Sequence, residues 1–141
     1  MVSRGLTLPA VVAAELLAHA RAGIPNEACG LLSGDAASGV ASRYYPARNA
    51  DASPLVYTVH PDDLVRIVLA IEDLGEDLLA IFHSHTHTAA VPSPTDRRQA
   101  MYPDAIYLLA TLTDPTAGPM DALRAWRIAD GDAVEVGLAV L

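Results

Sequence analysis

Cysteine is nearly absent from this chain. Cys29 stands alone among 141 residues, so no internal disulfide can form. Long apolar runs are missing too: no uninterrupted stretch approaches the ~18 residues that a membrane-spanning helix needs. Met1 to Pro9 shows no signal-peptide apolar region followed by a small-residue cleavage site. Basic residues are scarce, with 9 Lys+Arg against 17 Asp+Glu, and the net charge is −8. No Lys/Arg run exists to meet a phosphate backbone or an anionic membrane surface, so neither partner is expected. Aromatics make up 5% of the chain although 52% of it is apolar, which implies a core built largely of small residues. The expectation is a soluble cytoplasmic protein forming one domain over residues 1–141.

The chain alternates helical and strand-like patterns. Pro9 to Ala22 reads as a helix with Val12, Leu16 and Leu17 on one face, ended by Gly23 and Pro25. His19 lies on that helix, away from other candidate ligands. Asn26 to Gly34 reads as a strand with Glu27 at its entrance, and Cys29 as a small buried apolar residue. Asp35 to Gly39 is turn-rich, so this strand and the next, Val40 to Ala47, can form a hairpin. Leu55 to Val59 is a further strand candidate. A second helix is expected from Pro61 to Leu74, with Asp62 and Asp63 facing the positive end of its dipole. Its apolar face is Leu64, Val65, Val68, Leu69, Ile71 and Leu74, and His60 is read as its entry turn. Leu78 to Phe82 is a buried strand, Thr95 to Met101 a short helix capped by Ser93, and Ala105 to Leu112 the strongest buried-strand signal. Asp114 to Met120 reads as a Pro/Gly turn. Ala122 to Ala129 and Val134 to Leu141 are the last two strands, joined at Asp130-Gly131. A mixed α/β domain with a substantially antiparallel sheet follows.

The chemistry concentrates in Phe82 to Asp96. Alternate residues of a strand share a face, so His83 and His85 present two imidazoles side by side where a strand ends. Asp96 follows a loop containing Pro92 and Pro94. Two imidazoles and a carboxylate form a plausible catalytic zinc set, with the fourth tetrahedral position left for water. Each piece has an ordinary explanation as well. Paired histidines occur in many sheets, and Ser93-Pro94-Thr95-Asp96 is also a helix-capping pattern. Capping does not compete with function, because a capped helix fixes Asp96. His83, His85 and His87 could instead form a three-histidine site if the strand ran on to residue 87. Otherwise His87 is a rim residue of the loop.

Taken together, Glu27, His83, Ser84, His85, Ser93 and Asp96 resemble the signature of the JAMM/MPN+ metallopeptidase family: an early Glu, then His-Ser/Thr-His, seven residues, Ser, two residues, Asp. Every position is filled, whereas scaffold members of that fold typically lack some of them. The resemblance implies an MPN-type, cytidine-deaminase-like α/β domain, with a mixed, largely antiparallel curved sheet, two main helices and a short third. It implies Zn²⁺ held by His83, His85 and Asp96, Glu27 as general base and then acid, and Ser93 as the oxyanion donor. Ser84 alternates to the opposite face and is assigned to structure. Metallo-β-lactamases and zinc deaminases fit worse, because the Asp-His pair of the first and the cysteine pair of the second are missing.

Asn26 to Gly30, Ser53-Pro54, His83 to Thr86 and Pro92 to Asp96 are similar to sulfur-carrier-protein–cysteine peptidases of cysteine biosynthesis. Desampylases are the close competitor. Either type implies a ubiquitin-like sulfur carrier or its conjugates as partner, cleaved after a Gly-Gly tail lying along an exposed strand edge. A homodimer is allowed. The alternative is a non-catalytic MPN-type scaffold that binds a partner. A DNA-repair-associated MPN protein is disfavoured by the acidic charge.

Overall fold

The computed structural model describes residues 5–141, so the start of the Met1–Pro9 stretch lies outside the described residues. Twelve elements follow one another: β1 (Leu6–Leu8), α1 (Ala10–Ala22), β2 (Cys29–Asp35), β3 (Val40–Ala47), α2 (Pro61–Asp73), β4 (Asp77–His85), α3 (Pro94–Gln99), β5 (Ile106–Thr111), α4 (Pro119–Ala122), β6 (Leu123–Ala129), β7 (Asp132–Val136) and β8 (Leu138–Val140). The strands form one sheet in the order β7-β6-β5-β4-β2-β3-β1-β8. The β2–β3, β2–β4, β5–β6 and β6–β7 pairs are antiparallel. The β4–β5 pair and both pairs made by β1 are parallel. The two edge strands, β7 and β8, are separated in sequence by Gly137 alone. Two peptide units span less than about 8 Å, so the sheet must curl until its edges meet there.

Strand β4 is central and buried on both faces. Ala80 and Phe82 pack with Val12, Leu16, Leu17 and Ala20 of α1. On the other face Ile81 packs with Tyr107, Leu109 and Trp126, while neighbouring Cys29 and Leu31 pack on Ile67 and Ile71 of α2. Double-sided burial explains why β4 and β5 read as continuous apolar runs rather than alternating ones. Gly30 lies where the ring of Tyr44 crosses β2, and a Cβ there would come within 2.4 Å of the Tyr44 hydroxyl. That hydroxyl is 2.6 Å from Nδ1 of His19, so the ring cannot easily swing away.

Four expectations are corrected. Leu55–Val59 is not a strand: only an isolated bridge from Asn49 to Val59 forms. The reason is local, because the Asn49 side chain takes the Val56 carbonyl and the Thr58 amide that a strand partner would have used. The last strand breaks at Gly137, and its second half crosses to pair with β1, which the sequence reading missed. The Asp114–Met120 turn runs into a fourth, one-turn helix at Pro119. On α2 the buried apolar residues are Ile67 and Ile71, with Leu64 and Val68 half-buried, while Val65 and Leu69 face outward at 60% and 54% exposure. The apolar positions of that helix wrap too far round it for periodicity alone to choose the core side.

Gly30→Ala is expected to lower the unfolding free energy by about 1–3 kcal/mol through overpacking against Tyr44. A shifted urea midpoint at unchanged slope would show it, and an unchanged midpoint would mean that the ring yields.

Candidate active site

The two histidines arrive by strand alternation. β4 runs through His83 to His85, so both rings emerge on the face shared with Ile81. Ser84 points the opposite way, where its hydroxyl accepts from the Ala28 amide at 2.9 Å and its own amide donates to the Ala28 carbonyl at 3.0 Å. Ser84 is therefore structural, as expected. It also seats the residue next to Glu27. Asp96 is delivered by the capping box of α3: Ser93 Oγ accepts from the Asp96 amide at 3.0 Å, and the Ser93 amide donates to Asp96 Oδ2 at 2.9 Å.

His83, His85 and Asp96 converge as one group that could hold a metal ion. Nε2 of His83 and Nε2 of His85 are 3.3 Å apart, and they lie 3.2 and 3.0 Å from Asp96 Oδ2. Four donors tetrahedrally arranged at 2.0–2.1 Å from a zinc ion stand about 3.3 Å apart, so this triangle has the size of one tetrahedral face. The protonation pattern agrees. His85 Nδ1 lies 2.8 Å from the Ala89 carbonyl, which can only accept, so the proton belongs on Nδ1 and Nε2 is free to ligate. His83 lacks such a partner: its buried Nδ1 is unpaired, and its ring is held by stacking on Tyr57 at 4.2 Å between centroids and 18° between planes. The donor set fits a divalent cation. His87 is exposed in the bend after β4 and outside the group, so it is a loop residue and the three-histidine arrangement does not form.

Glu27 completes the cluster. It is 5% exposed, and its Oε1 is buried without a hydrogen-bond partner among the described residues. Burial pushes its carboxyl up to about 7; the nearby His85 pulls it down and Asp96 pushes it up. Asp96 goes the other way. Burial opposes its ionisation, but the bonds from His83, His85 and the Ser93 amide hold it well below the usual carboxylate range. Burial lowers His83 despite Asp96. For His85, burial acts downward, but the bonds to Asp96 and Ala89 outweigh it and the net shift is upward. The site thus pairs one firmly ionised carboxylate with one poised near neutrality.

Beside Asp96 opens an apolar cavity of about 240 Å³, lined by Leu31, Tyr57, Leu64, Ile81, Met101 and Tyr102 among others. β5 flanks both histidines through His85, whereas the pairing with β2 ends at His83. Sequence reasoning missed Tyr57 and Asn49, whose roles depend on contacts across the fold that no spacing encodes. It placed the remaining histidines and the cysteine correctly: His60 accepts the Asp62 amide at the start of α2, His19 is half-buried, and Cys29 is buried with its thiol pushed up to about 12 by burial first and neighbouring carboxylates second.

A family model described as prokaryotic homologs of the JAB domain matches residues 9–129. The chain belongs to this family. The CysO-cysteine peptidase of Mycobacterium tuberculosis is 38% identical over 139 residues, covering 96% of this chain and 93% of that protein. The desampylase of Haloferax volcanii is 38% identical over 116 residues, covering 79% and 84%. Among solved structures, a protein from Desulfitobacterium hafniense superposes with a TM-score of 0.87 at 33% identity, covering 97% of this chain and 93% of its own. The JAB-family fold expected from the motif is therefore the fold present.

The raised Glu27 carboxyl has a consequence for stability. Its folded value lies above the unfolded one, so its contribution is fully present below about 4.5 and is lost as pH rises towards 7. In metal-free protein, Glu27→Gln removes that loss. The variant's melting temperature should draw ahead of wild type as pH rises from 4.5 to 7, and the gap should stay constant above. A gap independent of pH would show that Glu27 ionises normally.

Proposed function

We propose that this protein is a zinc-dependent peptidase or isopeptidase that hydrolyses the bond after the C-terminal Gly-Gly tail of a ubiquitin-like sulfur carrier, releasing cysteine or a lysine-linked protein. The observation that carries it is the buried Glu27 carboxyl, its Oε1 without a hydrogen-bond partner among the described residues, close enough to His85 and Asp96 of the triangle to interact with both. The names of the mycobacterial and haloarchaeal relatives support the substrate class.

His83 and His85 would hold Zn²⁺ through Nε2 and Asp96 through Oδ2. Bound there, the ion would supply the positive charge that makes a water acidic enough to lose its proton near neutral pH. Glu27 takes that proton on its carboxylate and returns it to the leaving amine. Ser93 uses its oxygen for the helix cap, which leaves its hydroxyl hydrogen to meet the carbonyl oxygen as negative charge develops on it. The direction of the substrate follows. Register pairs Cys29 with His83 and Leu31 with Ile81, so Glu27 lies at the His85 end and the apolar cavity at the Ile81 end. The leaving amine lies towards Glu27 and the carrier's tail towards the cavity.

The test is cleavage of a ubiquitin-like carrier extended beyond Gly-Gly by cysteine or by a lysine-linked peptide, with bound metal measured in each preparation. Glu27→Ala should lose about 10²–10⁴ in rate while keeping its zinc. A zinc-replete wild type that cuts no carrier in a broad panel would overturn the reading in favour of a partner-binding scaffold.

Ser93 separates its two duties by substitution. Ser93→Ala should cost roughly 10²–10³ in kcat and destabilise α3 by about 1 kcal/mol. Ser93→Thr retains a hydroxyl and a cap, so it should recover most of both. Equal losses in the two variants would assign Ser93 to packing alone.

A further inference from the structure

Asn49 sits in the connection between β3 and α2, and its side chain uses every hydrogen-bonding position it has. Nδ2 donates to the Glu27 carbonyl and to the Val56 carbonyl, each at 3.0 Å. Oδ1 accepts from the Asp51 amide at 3.0 Å and the Thr58 amide at 3.1 Å. A carbonyl can only accept and an amide N–H can only donate, so the orientation of the group is fixed by its partners. The Val56 carbonyl and the Thr58 amide belong to the two peptide groups that flank Tyr57. One side chain therefore grips both sides of the residue stacked on His83 and, at the same time, the backbone of Glu27.

This matters because the buried Oε1 of the Glu27 carboxyl has no hydrogen-bond partner among the described residues. Where the carboxyl lies is set by where its backbone is tied. The Glu27 amide donates to the Ser53 carbonyl at 2.8 Å, and Ser53 belongs to the same 49–58 excursion that Asn49 folds back on itself. Asn49 thus supplies one anchor of Glu27 itself and shapes the segment that supplies the other.

We propose that Asn49 is a positioning residue of the active site, whose amide fixes the Glu27 backbone and the Tyr57 ring together. It acts through them and touches no reacting atom. The inference rests on the proposed role of Glu27 as proton carrier. Misplacing a reacting group by about 1 Å can cost on the order of 10²-fold in rate, which sets the scale of the effect.

Asn49→Asp tests it, since that side chain keeps the shape and both acceptor bonds and loses both donors. With the zinc-loaded protein and the carrier substrates above, kcat should fall roughly 10–100-fold. KM should move less than about threefold, with zinc content unchanged. In a Glu27→Ala background the same substitution should cost at least fivefold less. Amide hydrogen exchange gives a readout independent of substrate and metal: the Glu27 amide should exchange at least tenfold faster, while the Ile81 and Phe82 amides of β4 stay as in wild type. Asn49→Ser, which keeps one donor in a smaller side chain, serves if the Asp variant does not fold. Unchanged exchange at Glu27, or an equal kcat penalty with and without Glu27, overturns the inference. If Glu27→Ala is inactive and Asn49→Asp is fully active, the inference alone fails. If Glu27→Ala cleaves as fast as wild type, the proposed function fails and the inference falls with it.

Discussion

The antiparallel pairing of β2 with β4 is the constraint on which the site depends. It sets Cys29 opposite His83, and Ser84 closes it with two hydrogen bonds to Ala28. Side-chain direction in a strand has a period of two, so slipping this register by one residue would exchange the faces. Phe82 and Ser84 would then point towards the cavity, and His83 and His85 would be driven among Val12, Leu16 and Leu108. Burying two imidazoles there without partners is far more costly than the present arrangement, so the apolar packing of α1 enforces the geometry of the opposite face. The site's precision derives from hydrophobic residues that never touch it.

Electrostatics adds a second layer. Two carboxyl groups close to one another and to two imidazoles cannot all ionise freely, and the fold resolves the conflict by giving them different surroundings. Asp96 Oδ2 accepts from the Ser93 amide and lies against Nε2 of both histidines. Glu27 has an unpartnered buried oxygen. The first is held towards its anionic form and the second towards its protonated form, a difference set by environment rather than by residue type. A cation seated on the triangle would offset the Asp96 charge and draw the Glu27 carboxyl downward from about 7.

Residues whose function depends on nearness along the chain were legible in the sequence. His83 and His85 follow from strand alternation, and Asp96 from a capping pattern four residues long. The hairpin of β2 and β3 follows from the turn-rich Asp35–Gly39 stretch, and the Asp130-Gly131 turn from two residues that tolerate positive φ, here 53° and 80°. Glu27 was different: its own neighbourhood looks like any strand entrance, and only resemblance to a family signature singled it out. Tyr57 and Asn49 were invisible. Their partners lie 26 and 22 residues away, at His83 and Glu27, and neither spacing nor composition encodes a contact of that kind. The misreading of 55–59 as a strand has the same origin. Its residues favour extended backbone, but an asparagine side chain stands in for the neighbouring strand.

That substitution shows how the fold separates two requirements. The triangle must be held closely, and it is carried by a central strand and by a helix locked through a reciprocal cap. Glu27 is buried beside the triangle, yet it precedes the first residue of β2 and has no place in the strand ladder. Extending β2 to include it would bring the neighbouring strand across the entrance. Tying it instead through Asn49, Ser53 and the Ser84–Ala28 pair gives it the restraint of a strand residue without a strand beside it. One asparagine side chain satisfies three peptide groups of the 49–58 segment and the Glu27 carbonyl, while Tyr57 and Thr58 of that segment line the apolar cavity on the Ile81 side of the triangle.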